Sequence, residues 1–149
     1  MLINYKWKKN SRRTKLGGYR GSNMRQNEFS INVGYIRRMY VKGRPLEKGV
    51  NMKKNNEEIF NECKRLFPDF EFNGVMINKN FKCPPHKDKN NINDSLIIGL
   101  GDYDGGELVV ENEPHDIRYK PMIFNASVKE HYVNEWSNGD RYSIVLFSL

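Results

Sequence analysis

The sequence predicts a mainly β domain of the α+β class, an antiparallel barrel or sandwich braced on one side by a single helix. Three observations carry this. From residue 70 onward, short apolar segments alternate with turn residues, at 71–78, 95–101, 106–112, 117–125 and 141–149. One segment ahead of them, NNEEIFNECKRLFPDF, has the spacing of a helix rather than of a strand. The length of 149 residues, with eight Phe, eight Tyr and two Trp, suits one domain with a real core.

The elements follow in order. The stretch WKKNSRRTKLGGYRGSN is rich in Lys, Arg, Gly and Ser and reads as a loop or loosely held arm. EFSINVGYIRR alternates apolar and polar residues (Phe29, Ile31, Val33, Tyr35) and reads as a strand. YVKGRPLEKGVNMKK carries turn residues and reads as a connection. In the helix, Asn55 or Asn56 is the cap, Glu57 and Glu58 occupy the first turn, and Lys64 and Arg65 sit near the end. Pro68 stops it. Ile59, Phe60, Cys63, Leu66 and Phe67 form one apolar stripe, predicted to be core. Gly101 to Tyr103 and the Gly105-Gly106 pair punctuate the strands that follow. Residues 1–149 read as a single domain, with no internal repeat and with a basic segment over about 1–27.

Composition narrows the function. No run of about 18 apolar residues occurs, so no membrane helix is expected. The first residues contain no apolar core of the kind a secretory signal needs. Cys63 and Cys83 fit no paired-cysteine zinc spacing and read as reduced thiols in an intracellular protein, cytoplasmic or nuclear. The net charge is +7, unevenly spread. Residues 1–50 hold thirteen Lys or Arg against Glu28 and Glu47, whereas the remainder is mildly acidic. An anionic partner is expected, nucleic acid first. The bland alternative is a solvated basic face.

One short motif carries chemistry. In CPPHKDKNN, His86 and Asp88 stand two apart, so in an extended segment both side chains leave on one face. One imidazole and one carboxylate can then reach one ion. An iron oxygenase site needs a second imidazole and leaves its other positions open. Only His115 and His131 remain to supply it. His115, in the turn-like stretch ENEPHDIRY, reads as an exposed loop residue. A thiolate from Cys83 suits zinc better than such a site. Ten residues after His131, Arg141 and Ser143 stand two apart on the strongly apolar strand RYSIVLFSL. A guanidinium is costly to bury in an apolar interior without an anion, and its fork suits a carboxylate. The distal carboxylate of 2-oxoglutarate is one such partner; an Asp or Glu on a sheet surface is the other.

Taken together, His86-x-Asp88, His131 and Arg141-x-Ser143 resemble the Fe(II)/2-oxoglutarate-dependent dioxygenases. The likeness covers roughly residues 70–149. It points within that family to the branch of the TET and base-J-binding oxygenases, which act on 5-methylcytosine and thymine. The turn at Gly101-Asp102-Tyr103, the Gly105-Gly106 pair and the apolar strand after Arg141 are shared features. The resemblance implies a double-stranded β-helix, a jelly-roll barrel, which agrees with the strand-rich pattern. It implies Fe(II), 2-oxoglutarate and O2 as cofactor and cosubstrates, with His86, Asp88 and His131 as catalytic metal ligands. It implies Arg141 as the residue that clamps 2-oxoglutarate, with Ser143 beside it. Asn91 matches an Asn that contacts the target base, where an amide can both donate and accept along a flipped pyrimidine. Asn78 resembles an Asn that touches 2-oxoglutarate; the alternative is a strand-end residue bonding backbone. Lys87 and Lys89 flank the ligands, either to grip a substrate phosphate or as plain surface lysines. Arg12, Arg13, Lys15, Arg20 and Arg25 are candidate phosphate contacts, with DNA favoured over RNA.

The sequence also departs from that branch. Phe147 stands where those enzymes place a Tyr against the base, and their cysteine-rich region has no counterpart here. The expected reaction is hydroxylation of a nucleic-acid pyrimidine methyl group. The alternatives are hydroxylation of a protein side chain, as in prolyl hydroxylation, a non-catalytic nucleic-acid-binding barrel, and a metal hydrolase, which would have no use for Arg141 and Ser143. The small size would suit a virus- or phage-encoded enzyme.

Overall fold

The computed structural model describes residues 29–37, 45–49, 52 and 56–149. The basic segment over 1–27 and most of the connection over 40–54 lie outside the described residues. The described chain runs β1 (Phe29–Ile36), β2 (Glu47–Lys48), α1 (Glu57–Leu66), β3 (Gly74–Lys79), β4 (Ile92–Leu100), β5 (Asp104–Gly105) and β6 (Leu108–Val110). It continues through β7 (Glu113–His115), β8 (Met122–Phe124), β9 (His131–Val133), β10 (Trp136–Ser137) and β11 (Tyr142–Ser148).

The major sheet has the order β2-β1-β3-β11-β4-β8, and a smaller one the order β7-β6-β9. Strands β5 and β10 form a separate pair. All these strand pairings are antiparallel. The result is a jelly roll whose two larger sheets face each other without closing into a complete barrel.

Alternation along the central strands separates two cores. On β11, Ile144 and Leu146 turn toward α1 and pack with Val33, Val75, Ile77 and Phe60. Ser143, Val145 and Phe147 turn the other way, toward the smaller sheet. There, Ile97 and Phe124 of the major sheet meet Leu108, Val110 and Val133. Register locks the faces together: Ser143 pairs with Asn78 on one side and with Gly99 on the other.

The helix forms where the sequence predicts, with Glu57 and Glu58 in its first turn and Lys64 and Arg65 in its last. Asn56 precedes it but makes no side-chain capping bond. Ile59, Phe60 and Cys63 are buried and Phe67 packs beside them, but Leu66 is 51% exposed. At about 100° per residue, Leu66 falls at the margin of the stripe and Phe67 nearer its centre. The five predicted strands after residue 70 become β3, β4, β6, β8 and β11. The short strands β2, β5, β7, β9 and β10 have no counterpart in the sequence pattern. Both cysteines are free thiols.

Candidate active site

The metal-ligand candidates are assembled by backbone pairing. The segment before β4 runs antiparallel to β9, and His86 and His131 exchange both backbone hydrogen bonds, at 3.1 and 3.0 Å. Such directly opposed residues send their side chains to the same face. The imidazole centroids are 4.2 Å apart. Two residues on, the Asp88 N–H donates to the Ala126 carbonyl at 2.9 Å. Its carboxylate thereby sits 3.4 Å from His86 Nε2 and 3.6 Å from His131 Nε2. The three ligand atoms lie within 4.8 Å of one another. His115 takes no part and sits on β7, opposite Leu108.

Each imidazole is oriented by its other nitrogen. His86 Nδ1 lies 2.7 Å from the Pro84 carbonyl, and His131 Nδ1 lies 2.9 Å from the Lys129 carbonyl. A carbonyl can only accept, so each Nδ1 carries the proton and donates. That directs the Nε2 atoms at the shared volume, as metal-binding histidines require. The Phe124 ring meets His131 edge-on at 5.1 Å and fixes its plane. His131 is 5% exposed.

Electrostatics tie the cluster together. Burial would lower the pKa of His86, but Asp88 and Cys83 more than offset it and hold it up at about 10. Burial would raise that of Asp88, but its bonds to His131 and His86 keep the carboxyl well below its usual range. The carboxylate thus favours positive charge on the His86 ring, on the side where a cation could sit. The Cys83 sulfur lies 3.6 Å from both ring nitrogens of His86, against the imidazole rather than within the ligand cluster.

Beside these ligands is a cavity of about 120 Å³, walled by Asn78, Ser143, Val145, Phe147, Asn91, Ser95 and Cys83 among others. Its size is of the order of the ~150 Å³ space that holds one benzene ring. A buried chain of hydrogen bonds leads to its polar wall. Ser30 Oγ donates to Asn78 Oδ1 at 2.8 Å, and Asn78 Nδ2 donates to Ser143 Oγ at 3.1 Å. Ser143 accepts from Asn78 and keeps its own hydrogen to donate into the cavity. Asn91 holds the turn after Asp88, its N–H donating to the Asp88 carbonyl at 2.9 Å, and its amide reaches Ser95 Oγ at 3.4 Å. Phe147 closes another part of the wall, its ring laid over Gly74, where any Cβ would strike it. Lys87 and Lys89 are exposed on the loop.

Arg141, the residue just before β11 and two before Ser143, is buried, 2% exposed. Its guanidinium lies beside the cavity rather than in its wall, which differs from the expectation that both residues project into one space. Nε donates to the Gly106 carbonyl at 3.0 Å, and Nη2 has no partner. Burial lowers the guanidinium's pKa, with Tyr103 opposing the shift. Unpaired buried donors are rare in folded proteins, and this one is a donor that a carboxylate could satisfy. Tyr103 and Trp136 flank the same guanidinium. The sequence singled out the turn bearing Tyr103 but assigned neither ring a role.

No protein-family model matches the chain, and no curated protein matches it. Solved structures do. One is NgTET1 in complex with 5mC DNA, at 14% identity and a TM-score of 0.58, covering 80% of this chain and 60% of that one. Another is a 2OG-Fe(II) oxygenase family oxidoreductase from Burkholderia pseudomallei, at 22% identity and a TM-score of 0.58, covering 80% of this chain and 66% of that one. The chain thus spans less than two thirds of the length of either. At these identities the likeness is one of architecture: the chain has the jelly-roll fold of the 2OG-Fe(II) oxygenases.

Proposed function

We propose that the protein is an Fe(II)- and 2-oxoglutarate-dependent oxygenase, and that it hydroxylates the methyl group of a pyrimidine in nucleic acid, in DNA rather than RNA. One observation carries the enzyme reading: His86, Asp88 and His131 converge within 4.8 Å, with both Nδ1 atoms committed to backbone carbonyls. Two neutral nitrogens and one carboxylate oxygen form the donor set that suits ferrous iron with open positions. The buried, unpaired Nη2 of Arg141 suits the distal carboxylate of the cosubstrate. Bound there, iron, 2-oxoglutarate and O2 would supply the oxidising chemistry for a C–H bond. The chain's own residues bind, orient and exclude water. His86, Asp88 and His131 hold the metal, Arg141 and the Ser143 hydroxyl hold the cosubstrate, and Val145, Ile97 and Phe124 keep the cavity apolar.

The substrate reading rests on charge and on likeness. Residues 1–27 carry eight Lys or Arg and no acidic residue, and NgTET1 was solved with 5mC DNA. A base in duplex DNA must leave the stack at a cost of a few kcal/mol, which phosphate contacts offset. Asn91 and Phe147 would then face the flipped base, and Lys89 a neighbouring phosphate. An intracellular location goes with this reading.

Anaerobic addition of Fe(II) and 2-oxoglutarate is expected to give a weak visible charge-transfer band, and turnover to give succinate. Mass spectrometry of DNA, RNA and peptide mixtures is expected to find the added oxygen on 5-methylcytosine or thymine in DNA. An oxidised peptide alone would overturn the substrate reading. Arg141→Ala is expected to abolish 2-oxoglutarate turnover while leaving metal affinity in place; surviving turnover would refute the clamp.

A further inference from the structure

We infer that Trp136 and Tyr103 form an aromatic seat that aims the Arg141 guanidinium, making Trp136 a positioning residue for cosubstrate binding. The inference rests on the reading of Arg141 as the anchor of 2-oxoglutarate. Two features that resembled the oxygenases in sequence, the Gly101-Asp102-Tyr103 turn and the Gly105-Gly106 pair, meet at this seat.

The Arg141 Cζ lies 5.7 Å from the centre of the Tyr103 ring and 5.8 Å from that of Trp136. Both are within the range of cation–π attraction. Missing side chains make the approach possible. A Cβ at Gly106 would come within 3.0 Å of Arg141 Cδ and Nε and 3.1 Å of Trp136 Cβ. Gly106 also has φ +70°, a conformation that disfavours any side chain. A Cβ at Gly99 would lie 2.6 Å from the Tyr103 hydroxyl. Gly99 pairs with Ser143, so that hydroxyl is laid on the cavity side of β4, beside the strand that Arg141 leads into. Tyr103 itself is 3% exposed. Trp136 is brought in by the β5–β10 pair, opposite Gly105, and the Gly106 N–H donates to the Glu135 carbonyl at 2.8 Å.

The chemistry of the seat explains the orphaned donor. A buried guanidinium held by carboxylates or carbonyls would spend its N–H groups on them. An aromatic face attracts the charge without consuming a donor. Nε is tied to the Gly106 carbonyl and the Tyr103 hydroxyl also meets the guanidinium, while Nη2 is left available. The two rings therefore hold the charge in place while leaving Nη2 for a carboxylate. Such prior ordering appears as affinity, because the ordering cost falls before binding rather than during it.

The test is anaerobic titration of the Fe(II)-loaded protein with 2-oxoglutarate, read at the charge-transfer band, for wild type, Trp136→Leu and Trp136→Phe. Trp136→Leu is expected to weaken 2-oxoglutarate binding roughly 3- to 30-fold, with Fe(II) affinity unchanged. Trp136→Phe keeps an aromatic face and is expected to restore most of the loss. A second readout needs no loss of side chain. In a Trp7→Phe background, Trp136 emission is expected to change when 2-oxoglutarate binds, and the Arg141→Ala variant is expected to lose that response. Wild-type affinity in Trp136→Leu, equal weakness in Trp136→Phe, or silent Trp136 emission on binding would each overturn the seat. A wild-type protein that binds Fe(II) but gives no band at any 2-oxoglutarate concentration overturns instead the cosubstrate reading on which the seat depends.

Discussion

Asp88 lies between two imidazoles, 3.4 Å from His86 Nε2 and 3.6 Å from His131 Nε2. The His86 pKa is raised from 6.5 to about 10, so its contribution to stability is complete below about pH 6.5 and is lost as the pH climbs toward 10. The Asp88 pKa is depressed below 3.8, so its contribution is present above that value and is lost as the pH falls through and beneath it. These two groups therefore give the metal-free protein its greatest stability between about pH 4 and 6.5. Thermal melts are expected to stay level from pH 5 to about 6.5 and to fall from there to pH 9, with His86→Gln flattening the slope. A bound divalent ion replaces the proton, so adding Co(II) or Fe(II) is expected to restore the melting temperature most at high pH. A metal-free protein equally stable at pH 6 and pH 9 would contradict this electrostatic account. The His86-x-Asp88 pair was legible in the sequence because residues two apart share a face in any extended segment. The tautomers were not legible, since they depend on the carbonyls of Pro84 and Lys129.

At the scale of elements, segments with a run of apolar residues were readable, including the three-residue β6 and β8, whereas the other short strands were not. The helix α1 and strands β4 and β11 have seven or more residues, enough for periodicity to emerge. Strand β9 has three residues, His-Tyr-Val, and exists because its partners β6 and the Cys83–His86 segment supply its hydrogen bonds. The one misplaced stripe residue yields a comparison. Phe60 is buried against Phe72, with ring centroids 5.4 Å apart, and Phe60→Ala is expected to cost about 3–5 kcal/mol in urea unfolding. Leu66→Lys is expected to change stability by less than about 0.5 kcal/mol, because the side chain is 51% exposed. Equal losses would mean that α1 seats its end differently on the sheet.

Over the whole molecule, the jelly roll joins distant stretches: His86 and His131 are 45 positions apart yet form a hydrogen-bonded pair. If the basic N-terminal stretch binds phosphate, DNA affinity should fall with salt at a log–log slope of roughly −0.9 per phosphate neutralised. Removing residues 1–27 is expected to flatten that slope while leaving Fe(II) and 2-oxoglutarate binding intact, as gel-shift and spectroscopic titrations would show. An unchanged slope would place the DNA contacts elsewhere. The sequence by itself determined the fold class, the chemical identity of the ligands and the asymmetry of charge, because these depend on residue type, local alternation and composition. Tertiary structure alone decided that His86 and His131 pair backbone to backbone around Asp88, that Asn78 donates to Ser143, and that Arg141 rests against Tyr103 and Trp136. Each of these is a contact between residues far apart in the chain, set by strand register and sheet facing, and no local pattern encodes which distant strand will lie opposite.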